Sequence, residues 1–145
     1  MVSETITIRD YRESDATDVV SLLREGYESD ITPEVLKREY VGSERNIIVA
    51  QDTSTGKVVG CFFWEIQKDF VRKSRVLFLT YLIVDMNYRR RGIARSLCLK
   101  MEDIAKLHNC GNVELTSANY RTDAHELYKS IGYTVKKTSV FIKEL

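Results

Sequence analysis

Proline is almost missing from this 145-residue chain, where Pro33 stands alone. A Pro-rich linker is thereby excluded, and no repeat or low-complexity tract marks an internal boundary. One domain, residues 1–145, is the expectation for this length. Cysteine is scarce too. Cys61, Cys98 and Cys110 are an odd set with no C-x-x-C pair and no histidine cluster beside them. Neither a disulfide framework nor a zinc site fits that spacing, so no metal is expected. Cys61 and Cys98 lie among apolar neighbours and read as buried thiols.

An excess of either charge is also missing. The chain carries 22 basic and 21 acidic side chains, a net charge of +1. Nucleic-acid binders draw much of their affinity from neutralising phosphates, so nucleic acid is not an expected partner. Long apolar runs are absent as well. Val58–Trp64 and Val76–Val84, the latter broken by Thr80, fall far short of the ~20 residues of a membrane span. Glu4, Arg9 and Asp10 leave no signal-peptide core at the start. The expectation is a cytoplasmic protein with no membrane partner, a nuclear setting being the alternative.

What the chain does have is 43% hydrophobic and 30% charged residues, the balance of an ordinary globular domain. Thr5–Arg9 alternates threonine and isoleucine as a short strand does. Ser14 and Asp15 can cap a helix carrying Ala16, Val19, Val20 and Leu23 on one face. Thr32-Pro33 opens a short second helix expected to end near Gly42. Asn46–Gln51, Val58–Ile66 and Arg75–Val84 read as strands of an antiparallel meander, with a turn at 52–56. Gln67–Ser74 is charged and reads as a hairpin connection or an exposed strand end.

From Ile93 the apolar residues fall at 93, 94, 97, 98, 101, 104 and 105, a helical stripe that Asn109-Cys110-Gly111 ends. Val113–Ser117 is expected as a strand and Thr122–Ser130 as a helix with Gly132 at its left-handed end. Tyr133–Val135 and Ser139–Lys143 are expected to close the chain as a hairpin. The class is α+β, a mixed sheet with helices on both faces.

The chemistry is concentrated in Leu82-Ile83-Val84-Asp85-Met86-Asn87-Tyr88-Arg89-Arg90-Arg91-Gly92-Ile93-Ala94. An apolar strand runs through a short basic loop into the strongest helix of the chain. A helix N-terminus presents unpaired N–H groups and a partial positive charge, which together bind anions. Gly92 and Ala94 are small enough for a phosphate to approach the main chain, and three arginines surround them. A solvated basic loop ahead of an ordinary helix is the plain alternative. The phosphate patterns G-x-x-x-x-G-K-(S/T) and G-x-G-x-x-G are absent, as are H-E-x-x-H and G-x-S-x-G.

Arg89-x-x-Gly92-x-Ala94 resembles the (R/Q)-x-x-G-x-(G/A) motif of the GNAT superfamily of N-acetyltransferases. The stretch from Arg121 through Ala124, His125 and Tyr128 to Gly132-Tyr133 resembles the closing helix of that family. The element order is similar too, so the likeness covers essentially the whole chain.

The resemblance implies a mostly antiparallel sheet of six to seven strands, splayed between the fourth and fifth, with about four helices on both faces. It implies acetyl-CoA as cosubstrate. Leu82, Ile83 and Val84 would meet the pantetheine amides with their main chains, and Arg89, Arg90, Arg91, Gly92, Ile93 and Ala94 would cradle the pyrophosphate. Arg95 reaches a phosphate or faces solvent. Asn119 is a further cofactor contact, although it lies two residues too far from Ala124 for the usual N-x-x-A and Arg121 takes that slot. Met86 stands where relatives often have proline, and Arg90 where glycine is common.

Acetyl transfer needs a neutral amine, a polarised carbonyl and a stabilised leaving thiolate. An amine of pKa near 10.4 is neutral in only about one molecule in a few thousand at pH 7. The resemblance implies Tyr128 as the catalytic residue that meets the thiolate, a core tyrosine being the plain alternative. A strand N–H near Val84 would polarise the carbonyl. For the base, relatives often place a carboxylate on the fourth strand, yet 75–84 holds no Asp or Glu. Glu65, or Glu25 and Glu28 near the early helix, could act through water, while Asp85 reads as a loop residue and His125 as a partly exposed helix residue. None of them is assigned, a substrate that arrives partly neutral with no dedicated base being the plain alternative. The expected activity is N-acetyl transfer to a primary amine, either a small molecule or a protein lysine. An acyl-CoA sensor on the same fold is the rival reading. Monomer and homodimer both stay open.

Overall fold

A computed structural model describes residues 4–41 and 46–145. Five strands lie in sequence order in one sheet: β1 (Ile6–Asp10), β2 (Asn46–Asp52), β3 (Lys57–Asp69), β4 (Ser74–Val84) and β5 (Asn112–Leu115). Each of β1 to β4 runs antiparallel to the next, and β5 joins β4 in parallel. A parallel neighbour needs a crossover, and α3 (Ile93–Leu107) supplies it. The other helices are α1 (Ala16–Tyr27), α2 (Pro33–Val35, continued by a wider turn at Leu36–Tyr40) and α4 (Thr122–Ser130). This is the α+β architecture expected, with five strands among the described residues in place of six to seven. The expected end of α2 near Gly42 lies outside the described residues. Among the described residues, no helix is long and apolar enough to cross a membrane.

The missing strands belong to the expected terminal hairpin. Tyr133 N–H still bonds the Tyr128 carbonyl (2.9 Å) at the end of α4, and beyond it no ladder forms. A strand exists only where a neighbour takes its main-chain groups, and the four-residue β5 is a short edge to build on. Val135, Val140, Phe141 and Ile142 are left exposed, Phe141 by 93%.

Two apolar clusters sandwich the sheet. α3 buries Ile93, Leu97, Cys98, Met101 and Ile104 against Phe62, Leu77 and Leu79 on one face. α1 buries Ala16, Val19, Val20, Leu22 and Leu23 against Val49, Cys61 and Ile83 on the other. A fully buried side chain of this size contributes about 1.5–3 kcal/mol. The start of α1 differs in detail from the expectation. The Asp15 carboxylate binds the Arg12 N–H (2.7 Å) and the Arg9 guanidinium (2.8 and 2.9 Å), so it braces the turn before the helix. α1 stops at Tyr27 because Glu28 turns left-handed (φ 54°).

The feature that shapes the site is an irregularity in β4. Phe63 faces Tyr81 while Trp64 faces Leu79, so Thr80 is an extra residue with no partner of its own on β3. A bulge bends its strand and resets the side-chain alternation. Leu77 and Leu79 before it, and Leu82 and Val84 after it, therefore all point to the α3 face, whereas Ile83 packs on the α1 face. Pairing to β5 ends at Leu79 with Leu115, immediately before the bulge. Beyond that point β4 continues to Val84 without a β5 partner.

Candidate active site

Strand direction decides which main-chain groups face the gap. The Asp85 N–H donates to the Val59 carbonyl (2.7 Å), so residue 85 points toward β3. By alternation Ile83 points that way too, while Leu82 and Val84 point into the gap. Their environments agree: the Leu82 N–H and carbonyl meet the Tyr27 hydroxyl, and the Val84 carbonyl accepts from Arg89 Nε (3.4 Å). Of the three strand residues expected to meet a ligand with their main chains, Leu82 and Val84 turn those groups away from β3 and Ile83 turns them toward it.

The loop after β4 is held by Asp85. Its buried carboxylate accepts from the Asn87 N–H (2.8 Å) and pairs with Lys57 (2.9 Å). Burial alone would raise its pKa, but the Lys57 and Asn87 hydrogen bonds outweigh that and hold it below the ordinary value. Asp85 is therefore a structural anion, already committed. Tyr88 donates to Asp52 (2.7 Å), and Arg91 lies over the Tyr88 ring (4.8 Å) while donating to the Asn87 carbonyl (3.1 Å).

Arg90 and Gly92 both adopt left-handed conformations, with φ of 62° and 79°. This double reversal aims the chain into α3. Gly92 caps the helix without a side-chain hydrogen bond, and the first helical bond runs from the Ser96 N–H to the Gly92 carbonyl (3.0 Å). The N–H groups of Ile93, Ala94 and Arg95 are thus unclaimed by the helix. Gly60 lets α3 sit low on the sheet. A Cβ there would lie 3.3 Å from the Ile83 carbonyl and from Leu97 Cδ1, and 3.4 Å from Ile93 Cγ2.

These elements enclose a cavity of about 510 Å3 lined by Leu82, Ile83 and Val84, by Arg89, Arg90, Gly92, Ile93, Ala94 and Arg95, and by residues of α4 including Tyr128. Arg91 is turned away onto Tyr88, and Asn119 is exposed and outside the lining. Arg121, the residue in the slot expected for asparagine, lines the cavity instead. Its Nη2 donates to the Gly26 carbonyl (3.0 Å) and its guanidinium lies 4.6 Å from the Tyr27 ring. Four arginines face two carboxylates, Asp123 and Glu126, across the lining. The cavity is locally cationic although the whole chain is nearly neutral. A larger groove of about 740 Å3 lies along the free edge of β5; it contains none of the residues from Leu82 to Arg95, although Gly132 and Tyr133 after α4 line it.

Tyr128 is half-buried, packs near the Tyr133 ring (5.9 Å), and its hydroxyl has no hydrogen-bond partner among the described residues. Burial, first, then the nearness of Cys98 and Tyr27, raises its pKa, with Arg121 opposing. Such a phenol stays protonated and acts as a hydrogen-bond donor. Burial pushes the Cys61 and Cys98 thiols up to about 12, so neither is a thiolate near neutral pH. Glu65, Glu25, Glu28 and His125 do not line the cavity.

Arg121 was not anticipated as a lining residue, and its signal was its place in the N-x-x-A slot. Tyr27, which had no signal, does not line the cavity but holds the Leu82 main chain that does.

Residues 9–133 match the acetyltransferase (GNAT) family. Over 78 residues the chain is 33% identical to the N-acetylaspartate synthetase of Xenopus tropicalis, a stretch that is 54% of this chain and 27% of that protein. The chain thus spans about a quarter of the length of that relative. A Trypanosoma brucei acetyltransferase has the same fold, with a TM-score of 0.79 at 21% identity over 96% of this chain and 99% of its own. An aminoglycoside N-acetyltransferase crystallised with CoA aligns with a TM-score of 0.80 at 16% identity, over 96% of this chain and 94% of its own. With a splayed β4, a glycine-opened α3 and a match from Arg9 to Tyr133, the chain belongs to the acetyltransferase (GNAT) family.

Proposed function

We propose that this protein transfers an acetyl group from acetyl-CoA to a primary amine by direct attack within a ternary complex. The observation that carries the reading is the uncapped N-terminus of α3, opened by left-handed Gly92 at the foot of a strand that has parted from its neighbour. A pyrophosphate suits this place: three N–H groups lack helical partners, no side chain occupies the cap, and Arg89, Arg90 and Arg95 line the same cavity. The gap-facing main chain of Val84 suits an amide of a pantetheine arm, whereas the Leu82 N–H and carbonyl are held by the Tyr27 hydroxyl.

When bound, acetyl-CoA supplies an acetyl group activated as a thioester. The chain's own residues then orient it and stabilise charge. Tyr128, protonated and free of other partners, donates a hydrogen bond where negative charge collects on the leaving sulfur. Its raised pKa argues against full proton transfer, because the phenol is a weaker acid than the thiol it would protonate. The unreactive thiols of Cys61 and Cys98 favour direct attack over an acyl-cysteine intermediate. A half-buried phenol with no partner has no use in a passive acyl-CoA sensor, which supports the enzyme. The acceptor is a small amine or a protein lysine. The named product of the Xenopus relative makes aspartate the first small amine to test.

Two measurements test the reading. Acetyl-CoA at a hundredfold excess over its Kd should stabilise the fold by about 2.7 kcal/mol, read as a rise in melting temperature. A panel of amino acids, polyamines and lysine peptides should then show CoA release with at least one acceptor. The absence of any melting shift with acetyl-CoA or CoA would remove the cofactor from the reading.

A further inference from the structure

Tyr27 ends α1 and spans 55 positions of sequence to reach the gap. Its hydroxyl donates to the Leu82 carbonyl (2.9 Å) and accepts from the Leu82 N–H (3.3 Å). These are the polar groups that β4 turns into the gap just beyond the bulge, where β5 no longer pairs with it. The ring is fixed on two sides. Tyr81 meets it edge-on at 4.8 Å, and the Arg121 guanidinium covers it at 4.6 Å while Nη2 binds the preceding Gly26 carbonyl. Phe63 in turn packs edge-on against Tyr81 at 6.1 Å. A phenol so held cannot drift, and its one mobile part is the hydroxyl proton.

Resting on the acetyl-transfer reading above, we infer that Tyr27 is a catalytic residue: its hydroxyl donates to the thioester carbonyl oxygen as that oxygen gains charge. The Leu82 N–H makes this possible. It already donates to the Tyr27 oxygen, so the phenol O–H is polarised by a main-chain donor and can turn from the Leu82 carbonyl to the substrate oxygen. As the amine nitrogen forms its bond to the carbonyl carbon, the carbonyl π pair moves to oxygen. That pair returns as the C–S bond breaks and its electrons leave on sulfur. The amine loses its proton to water, and Tyr27 keeps its own throughout. The groups around Tyr27 agree with a donor that stays protonated: burial raises its pKa, Cys61 and Tyr81 add to this, and only the Leu82 bond and Arg121 oppose it. Tyr128 serves the sulfur and Tyr27 the oxygen, so the two phenols divide the developing charge.

The test is Tyr27→Phe, which keeps the ring, the Tyr81 contact and the Arg121 stack. CoA affinity by calorimetry should stay within about twofold of wild type, while the single-turnover rate falls by roughly 100- to 1000-fold, the range for one lost oxyanion donor. A wild-type rate in the variant overturns the inference. So does tighter CoA binding with an unchanged rate, which would make Tyr27 a placeholder expelled by the ligand. Should the phenylalanine variant fold poorly, difluorotyrosine at position 27 retains both hydrogen bonds to Leu82 but ionises at lower pH. The alkaline limb of its pH–rate profile should then move toward acid; an unmoved limb overturns the inference. Wild-type protein that does not bind CoA at all would instead remove the underlying reading.

Discussion

The paired left-handed residues before α3 give the sharpest test of the proposed phosphate cradle. Arg90 sits at φ 62° and Gly92 at φ 79°, yet only the second is glycine. An L-residue in this region costs about 1–2 kcal/mol through the clash of its Cβ with the following carbonyl. Glycine avoids that cost but loses about 0.4–1 kcal/mol through the greater freedom of its unfolded chain. Arg90→Gly should therefore stabilise the protein by about 0.5–1 kcal/mol, and Gly92→Ala should destabilise it by a similar amount. Urea melts at constant m would read both, and near this chain length each should move Tm by roughly 1–4 °C in opposite directions. Binding divides the two positions differently. Arg90 contributes one exposed side chain, whereas residue 92 borders the N–H groups themselves. Gly92→Val should weaken CoA binding at least about tenfold, or 1.4 kcal/mol, while Arg90→Gly and Arg90→Ala stay milder. If Arg90→Gly abolishes CoA binding while Gly92→Val preserves it, side chains and not the main chain hold the phosphates.

Tyr128→Phe should leave stability and CoA affinity unchanged, since no hydrogen bond is lost, yet lower kcat and kcat/KM together by about 10- to 1000-fold, measured in single turnovers so that product release cannot mask the effect. Gly60→Val should cost about 1–3 kcal/mol in urea melts and weaken CoA binding as well, because the new methyls press on the Ile83 carbonyl and on Ile93 in the first turn of α3. Asp15 is held below its ordinary pKa of 3.8 by Arg9 and the Arg12 N–H, which outweigh the opposing and individually largest effect of burial. Its contribution is therefore complete above pH ~3.8 and is lost as pH falls through the lower folded value. Asp15→Asn should cost roughly 2–3 kcal/mol at neutral pH by stranding Arg9, and should flatten the acid limb of a stability–pH curve.

Local order was legible in the residues alone. The apolar stripe of α3 emerged as a helix because its period of 3.6 is independent of any partner, and left-handed Gly92 stands at its head. Thr32-Pro33 opened α2 as expected, with the Thr32 hydroxyl capping the Val35 N–H (3.2 Å). The strands of the meander were found within a few residues, since alternation and β-branching mark them. Tertiary structure decided what each residue faces. Nothing in Arg75–Val84 reveals that Thr80 is extra, and that single residue sends Ile83 to the α1 face and turns Leu82 and Val84 into the gap. The terminal hairpin failed because alternation shows that a segment can be a strand, but only a neighbouring edge makes it one. Tyr27 was invisible for a related reason. Its bond to Leu82 joins residues 55 apart, and contacts of that range depend on how α1 and the bulged strand come together, a geometry that no local pattern encodes.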